Sequence, residues 1–168
     1  MSIMGLDMGT TGVKAVAFAE DSATVIASAY REYDLETPGP GLLELNPDTV
    51  LAAVKEVTAE VGAATAHDPV KSVGTSVLGE AGMPVDANLK PLGNAIIGFD
   101  PRGEDEAQSY RETMTNEDVF SICGHGINSY HTLCKMGWWK NNKPEVWEKT
   151  DKFLCFGDYV TAAMGASP

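Results

Sequence analysis

The stretch from Ile3 to Ala19 constrains this chain more than any other. An apolar run, Ile3 to Leu6, leads into Asp7. The small residues Gly9, Thr10, Thr11 and Gly12 follow, and a second apolar run, Val13 to Ala19, leaves them with Lys14 just inside it. Two short β-prone runs joined by a glycine-bearing turn predict a hairpin. The turn also carries what a nucleotide phosphate needs. Glycine removes the Cβ barrier between an anion and backbone N–H groups, Thr10 and Thr11 add hydroxyls, Lys14 adds a cation, and Asp7 can hold Mg²⁺ through water. The same residues would also serve a purely geometric turn, with Asp7 capping it and Lys14 in solvent. It is not a Walker A loop: no Gly-x-x-x-x-Gly-Lys-Ser/Thr run occurs, and the turn joins strand to strand rather than strand to helix.

Downstream, Ala23 to Tyr30 is a third β-prone run, completing a meander after the Asp21-Ser22 turn. Thr37 to Gly41 breaks it, and Asn46-Pro47-Asp48 signals a helix start. Val50, Val54, Val57, Val61 and Ala64 recur at spacings of three and four, predicting one helix from Pro47 to Ala66 with a single apolar stripe. Val70 to Val77 then reads as a strand parallel to the first, because a helix separates them. Gly79 to Asp86 and Leu92 to Phe99 read as a strand pair. Helices are expected over about 104–114, 115–122, 131–141, 144–149 and from Gly157 to Gly165, with Phe153 to Phe156 a buried strand before the last of them.

Composition sets the bounds. At 168 residues with 43% hydrophobic content, the chain can bury a core of its own. The net charge of −12 argues against a nucleic-acid surface and against anionic membranes, though amides and Mg²⁺ can still offset a nucleotide's charge. No apolar run approaches a membrane span, and the N-terminus lacks the basic region of a secretory signal. Cys123, Cys134 and Cys155 form no Cys-x-x-Cys or zinc pattern and predict buried or free thiols in a reducing cytoplasmic setting. His67, His125 and His131 show no metal-ligand spacing. Trp138, Trp139 and Trp147 read as packing residues, and Asp158 as a residue of a helix N-terminus.

The Asp-x-Gly-Thr-Thr-x-x-Lys spacing of residues 7–14 resembles the first phosphate loop of the actin, Hsp70 and sugar-kinase superfamily. Four further segments, in collinear order, narrow the resemblance to the FGGY family of carbohydrate kinases. They are Gly74 to Asp86, the Phe99-Asp100-Pro101-Arg102 motif, Tyr130 to Trp138 with its Lys-x-x-Trp run, and Phe156 to Tyr159 ahead of Met164-Gly165. The resemblance implies a ribonuclease-H-like α/β fold, a mixed sheet with flanking helices, and ATP-dependent phosphorylation of a sugar or polyol. ATP and Mg²⁺ are the implied cofactors. Asp7, Gly9, Thr10, Thr11 and Lys14 would meet the phosphates, with Asp7 on the metal. Gly79, Glu80, Asp100, Arg102 and Tyr130 would line the sugar site, where carboxylates accept from adjacent hydroxyls and a guanidinium donates. Gly79 departs from the larger residues the family places there and leaves room. Simpler roles stand beside these: Asp100 before a proline suits a turn cap, Arg102 a pair with Glu104 or Asp105, and Glu80 the closing of a hairpin.

The family's catalytic base and adenosine pocket have no counterpart in residues 1–168. The resemblance therefore implies a first domain, incomplete at its C-terminal end. Such a domain alone would not turn over substrate and would await an opposing C-terminal domain. Apolar surface left open would invite homo-oligomers. The alternative is a non-enzymatic module that keeps the fold and binds sugar or a partner.

Overall fold

The computed structural model describes residues 1–166. The opening hairpin is β1 (Ser2–Met8) and β2 (Gly12–Ala19), paired antiparallel with Asp7 opposite Lys14. β3 (Val25–Glu32) extends the meander beyond β2. It starts later than the sequence suggests. Ala23 sits at φ +54°, in the left-handed region, and its N–H closes a turn onto Ala19, so Ala23 and Thr24 belong to the turn. After β4 (Glu44–Leu45) and α1 (Pro47–Ala64), β5 (Val70–Val77) runs parallel to β1, as expected from the intervening helix. The sheet order is β3-β2-β1-β5.

The start of α1 is set by local chemistry. Asn46 Oδ1 accepts from the N–H groups of Asp48 and Thr49 at 3.0 and 3.2 Å, and Pro47 fills a first-turn position whose N–H would have no partner. Val50, Val54, Val57 and Val61 form the buried stripe and pack on β2 and β3. Ala64 does not join it. The helix ends at Thr65, which is buried instead and donates its hydroxyl to the Val61 carbonyl. β1 alternates with period two: Met4, Leu6 and Met8 face the core, while Ile3 and Asp7 face away.

The expected mixed sheet is present and holds half of the strands. Those beyond Val77, β6 (Gly82–Val85), β7 (Ala95–Ile96) and β8 (Lys152–Cys155), join β4 in a second sheet, antiparallel throughout, in the order β4-β7-β6-β8. Glu44 and Leu45, just before the helix-start signal, are an edge strand of it. A two-residue strand is too short to leave a periodic signature. α2 (Glu104–Thr113), α3 (Asn116–Cys123), α4 (Thr132–Asn142), α5 (Pro144–Trp147) and α6 (Phe156–Ala163) fall within about two residues of the sequence reading. One hydrophobic cluster joins the two sheets: Leu6, Met8 and Val13 from the first, Met83, Val85 and Leu154 from the second, and Val57 and Phe156 from the helices all belong to it.

Candidate functional site

β1 and β5 are parallel, so their C-terminal ends lie side by side, and the Leu78 N–H donates to the Met8 carbonyl at 3.3 Å just beyond both strands. In open α/β sheets such carboxyl ends are where ligands bind. The phosphate turn leaves β1 here, and the segment carrying Gly79 and Glu80 leaves β5 beside it.

Two tyrosines of the third strand's end hold the turn from below. The Tyr33 hydroxyl donates to the Gly9 carbonyl at 2.8 Å, the Tyr33 N–H donates to the Thr11 carbonyl at 3.2 Å, and the Tyr30 hydroxyl donates to the same carbonyl at 3.4 Å. The Gly9 N–H closes onto the Gly12 carbonyl at 2.9 Å and is therefore spent inside the turn. Among the described residues, the N–H groups of Thr10 and Thr11 have no acceptor. Two such amides next to two threonine hydroxyls leave donors open to an acceptor from outside the turn. Asp7 and Lys14 are exposed opposite each other on the open sheet face, and the parallel register adds Ser76 to their row. The Asp7 carboxylate has no side-chain partner among the described residues, which suits a hydrated Mg²⁺ held through few protein ligands. No cluster of three or more His, Cys, Asp or Glu side chains that could hold a metal occurs among the described residues, and the three cysteines are unpaired. Sequence reasoning missed Tyr30, Tyr33 and Ser76, because only strand register brings them to the turn.

Beside the turn opens a cavity of about 300 Å³ lined by Gly79, Glu80, Ile97, Gly98, Phe99 and Tyr130, among others. Among the described residues, Glu80 is its one charged lining residue. Its Oε2 accepts from the Thr132 N–H at 2.6 Å and from the Thr132 hydroxyl at 2.7 Å, so it also caps the first turn of α4, whose own N-cap position, His131, supplies no side-chain bond. Glu80 Oε1 has no partner among the described residues. A Cβ on Gly79 would meet nothing within 4 Å, so the room that the sequence suggested there exists. Phe99, 77% exposed, and Tyr130, 49% exposed, stand as aromatic walls.

Asp100 and Arg102 lie elsewhere than in this cavity. Asp100 is 1% exposed and sits behind Phe99. Its carboxylate is fully engaged: the Arg102 guanidinium grips it in a fork at 2.8 and 2.6 Å, and the N–H groups of Leu43 and Arg102 donate to it at 2.6 and 2.8 Å. Arg102 pairs also with Glu44 at 2.5 Å, not with Glu104 or Asp105, and its guanidinium lies 5.0 Å from the Trp138 ring centre. Burial pushes the Asp100 carboxyl up, but Arg102 and the two amides outweigh it and hold its pKa below the usual carboxylate range. As folded, the pair is an internal ion pair that braces the loop behind the cavity. Trp139 is buried and packs against Gly93, as a packing role predicts.

Residues 2–166 match the N-terminal domain of the FGGY family of carbohydrate kinases. A gluconokinase of Bacillus licheniformis is 31% identical over 158 residues, which are 94% of this chain and 31% of that protein. A glycerol kinase of Gloeobacter violaceus is 35% identical over 138 residues, 82% of this chain and 27% of its own length. Among solved structures, a xylulose kinase from Brucella ovis matches with a TM-score of 0.88 at 25% identity, over 97% of this chain and 33% of that one. A xylulose kinase from Rhodospirillum rubrum has the same fold, with a TM-score of 0.89 at 24% identity over 96% of this chain. The chain thus spans about a third of the length of the relatives it matches. With the match running through the phosphate turn, the Glu80 cavity and the Asp100–Arg102 brace alike, this chain belongs to the FGGY family of carbohydrate kinases.

Proposed function

We propose that the chain is a first-domain portion of an ATP-dependent, cytoplasmic kinase acting on a neutral sugar or polyol. The observation that carries this reading is adjacency: the unpartnered amides of Thr10 and Thr11 and the Glu80 cavity open from the same pair of strand ends. Thr10, Thr11 and Lys14 would meet the terminal phosphates, with Gly9 shaping the turn. Asp7 would hold the hydrated Mg²⁺, which would offset phosphate charge when bound. Glu80 would accept a sugar hydroxyl on its free Oε1, Tyr130 and Phe99 would pack on the carbon skeleton, and Gly79 would leave space for it. Asp100 and Arg102 would act behind the cavity as a brace, not as ligands. A neutral substrate is favoured because a sugar acid would bring its carboxylate to Glu80 with no lining cation to meet it. The base that accepts the hydroxyl proton, and the adenosine pocket, would come from an opposing domain, so the chain by itself is expected to show no sugar-dependent ADP release in a coupled assay.

Amide and side-chain NMR titrations of the chain test the assignment. Xylulose or glycerol should shift Phe99, Tyr130 and Thr132, and gluconate should do so less. Mg²⁺-ATP should shift Thr10 and Thr11. Glu80→Gln should weaken sugar binding about tenfold, the scale of one charged hydrogen bond. Sugar binding with no nucleotide response would favour the non-enzymatic module, and no response at residues 79, 80, 99 and 130 would overturn the sugar site.

A further inference from the structure

Lys135 is fully buried, and it ranks first in size among the side chains with almost no exposure. Such a cation is costly unless its donors are met. The Nζ donates to the backbone carbonyls of Asp100 at 2.5 Å and of Arg102 at 2.6 Å. No carboxylate lies within ion-pair distance of it among the described residues. Asp100 and Glu44 offset Arg102 in the packed cluster that Lys135 joins. Burial pulls the ammonium's pKa down, and the negative charges of Asp100 and Glu80 work against that pull.

The location of these bonds matters more than their number. Lys135 sits one turn into α4, whose first residue, Thr132, holds Glu80, and whose preceding residues include the wall residue Tyr130. The two carbonyls belong to the loop that directly follows the other wall, Phe99. That loop is pressed against the same helix: a Cβ on Gly103 would lie 3.0 Å from the Cys134 Cβ and 3.1 Å from the Ser129 carbonyl oxygen. The loop's far side is fixed to β4 through Arg102–Glu44 and to Leu43 through Asp100. Lys135 is thus a polar link between the two halves of the cavity rim. We propose that it is a positioning residue: its ammonium locks the Phe99–Arg102 loop to the helix bearing Tyr130 and the Glu80 contact, and so sets the width of the sugar cavity. The cavity's use for sugar rests on the function proposed above. The clamp itself does not.

Two variants read the clamp. Lys135→Met keeps volume and removes the donors, while Lys135→Arg keeps donors and charge. Amide hydrogen exchange is followed at Leu43, Arg102 and Thr132, whose N–H groups bond Asp100 and Glu80, with Leu6 and Ala15 in the β1–β2 hairpin as reference. A clamp predicts that Lys135→Met raises exchange at the three rim amides by about tenfold or more beyond any change in the hairpin, and that Lys135→Arg raises it less. A rise shared equally with the hairpin, or no rise, overturns the proposal, since simple packing loss loosens the whole domain. If Lys135→Met does not fold, the wild-type chain decides. Scalar couplings across the hydrogen bonds from Lys135 Nζ to the carbonyl carbons of Asp100 and Arg102 should be present, and their absence overturns the clamp. Titration with xylulose and glycerol separates the two readings. If the wild type binds, Lys135→Met should weaken binding with a smaller loss in Lys135→Arg. If the wild type binds neither sugar, the sugar site fails while the exchange pattern still decides the clamp.

Discussion

Gly12 is the residue on which the phosphate turn depends most narrowly. A Cβ there would lie 2.4 Å from the Tyr30 hydroxyl and 2.6 Å from the Arg31 carbonyl oxygen. A tyrosine ring can swing away, but a strand carbonyl cannot without breaking its ladder. Gly12→Ala should therefore cost about 1–3 kcal/mol, the range for overpacking, and Tyr30→Phe in the same chain should recover only part of it because the carbonyl remains. Denaturant melts of both variants check this. Tyr33, just below, gives a pH signature. Burial, helped by the negative potential of Tyr30 and Asp7, pushes its phenol up to about 12. The folded pKa lies above the unfolded one, so the neutral form is favoured by folding. Its contribution is complete below about pH 10 and is lost as pH rises from there towards 12. Alkaline melts should show this loss, and Tyr33→Phe should flatten it; an equal slope in the variant would refute the assignment. The candidate site was unevenly legible at this scale. Asp7, Thr10, Thr11 and Lys14 sit within eight residues of chain, so their grouping is local. Tyr30, Tyr33 and Ser76 join them only through pairing of β2 with β3 and of β1 with β5.

At the scale of elements, local codes and long-range ones separate cleanly. α1 carries its own start signal, and Asn46→Ala should lower the melting temperature by about 2–4 °C, since losing a cap costs about 1 kcal/mol in a domain of this size. Calorimetry decides it. An unchanged melting temperature would mean that the valine stripe alone holds the helix. α4 has no such signal: His131 offers no cap bond, and the cap is Glu80, 52 residues earlier in the chain. Sequence reasoning treated Glu80 as a hairpin or sugar residue because nothing local links it to Thr132. Asp100 was misplaced for a related reason. An aspartate before a proline and an arginine look alike whether they face a ligand or each other, and only burial at 1% exposure tells the cases apart.

For the whole molecule, coverage of the first sheet is uneven. α1 lies over β2 and β3, while among the described residues β5 is bonded on one edge only and most of its residues are exposed. Val73 is 39% exposed in its middle. An open edge strand with apolar residues is a template for pairing, and a net charge of −12 opposes it by repulsion between copies. Sedimentation should accordingly show self-association that grows with concentration and with added salt, as screening removes the repulsion. Val73→Lys should move the population towards monomer. A single monomeric species at high concentration and high salt would refute this.

The sequence by itself determined the opening hairpin, the valine-striped helix, the parallel return of β5 and which residues share the Gly9–Gly12 turn. Each of these is encoded by neighbours within one or two turns or strands, where periodicity and capping act. The tertiary structure alone decided that the later strands form a separate sheet, that Asp100 and Arg102 face inward, that Glu80 caps a distant helix, and that Lys135 ties the cavity rim together. Those outcomes depend on which groups lose water together. Desolvation is a property of the packed whole, and charged residues of the same type become ligands or braces according to what is buried beside them.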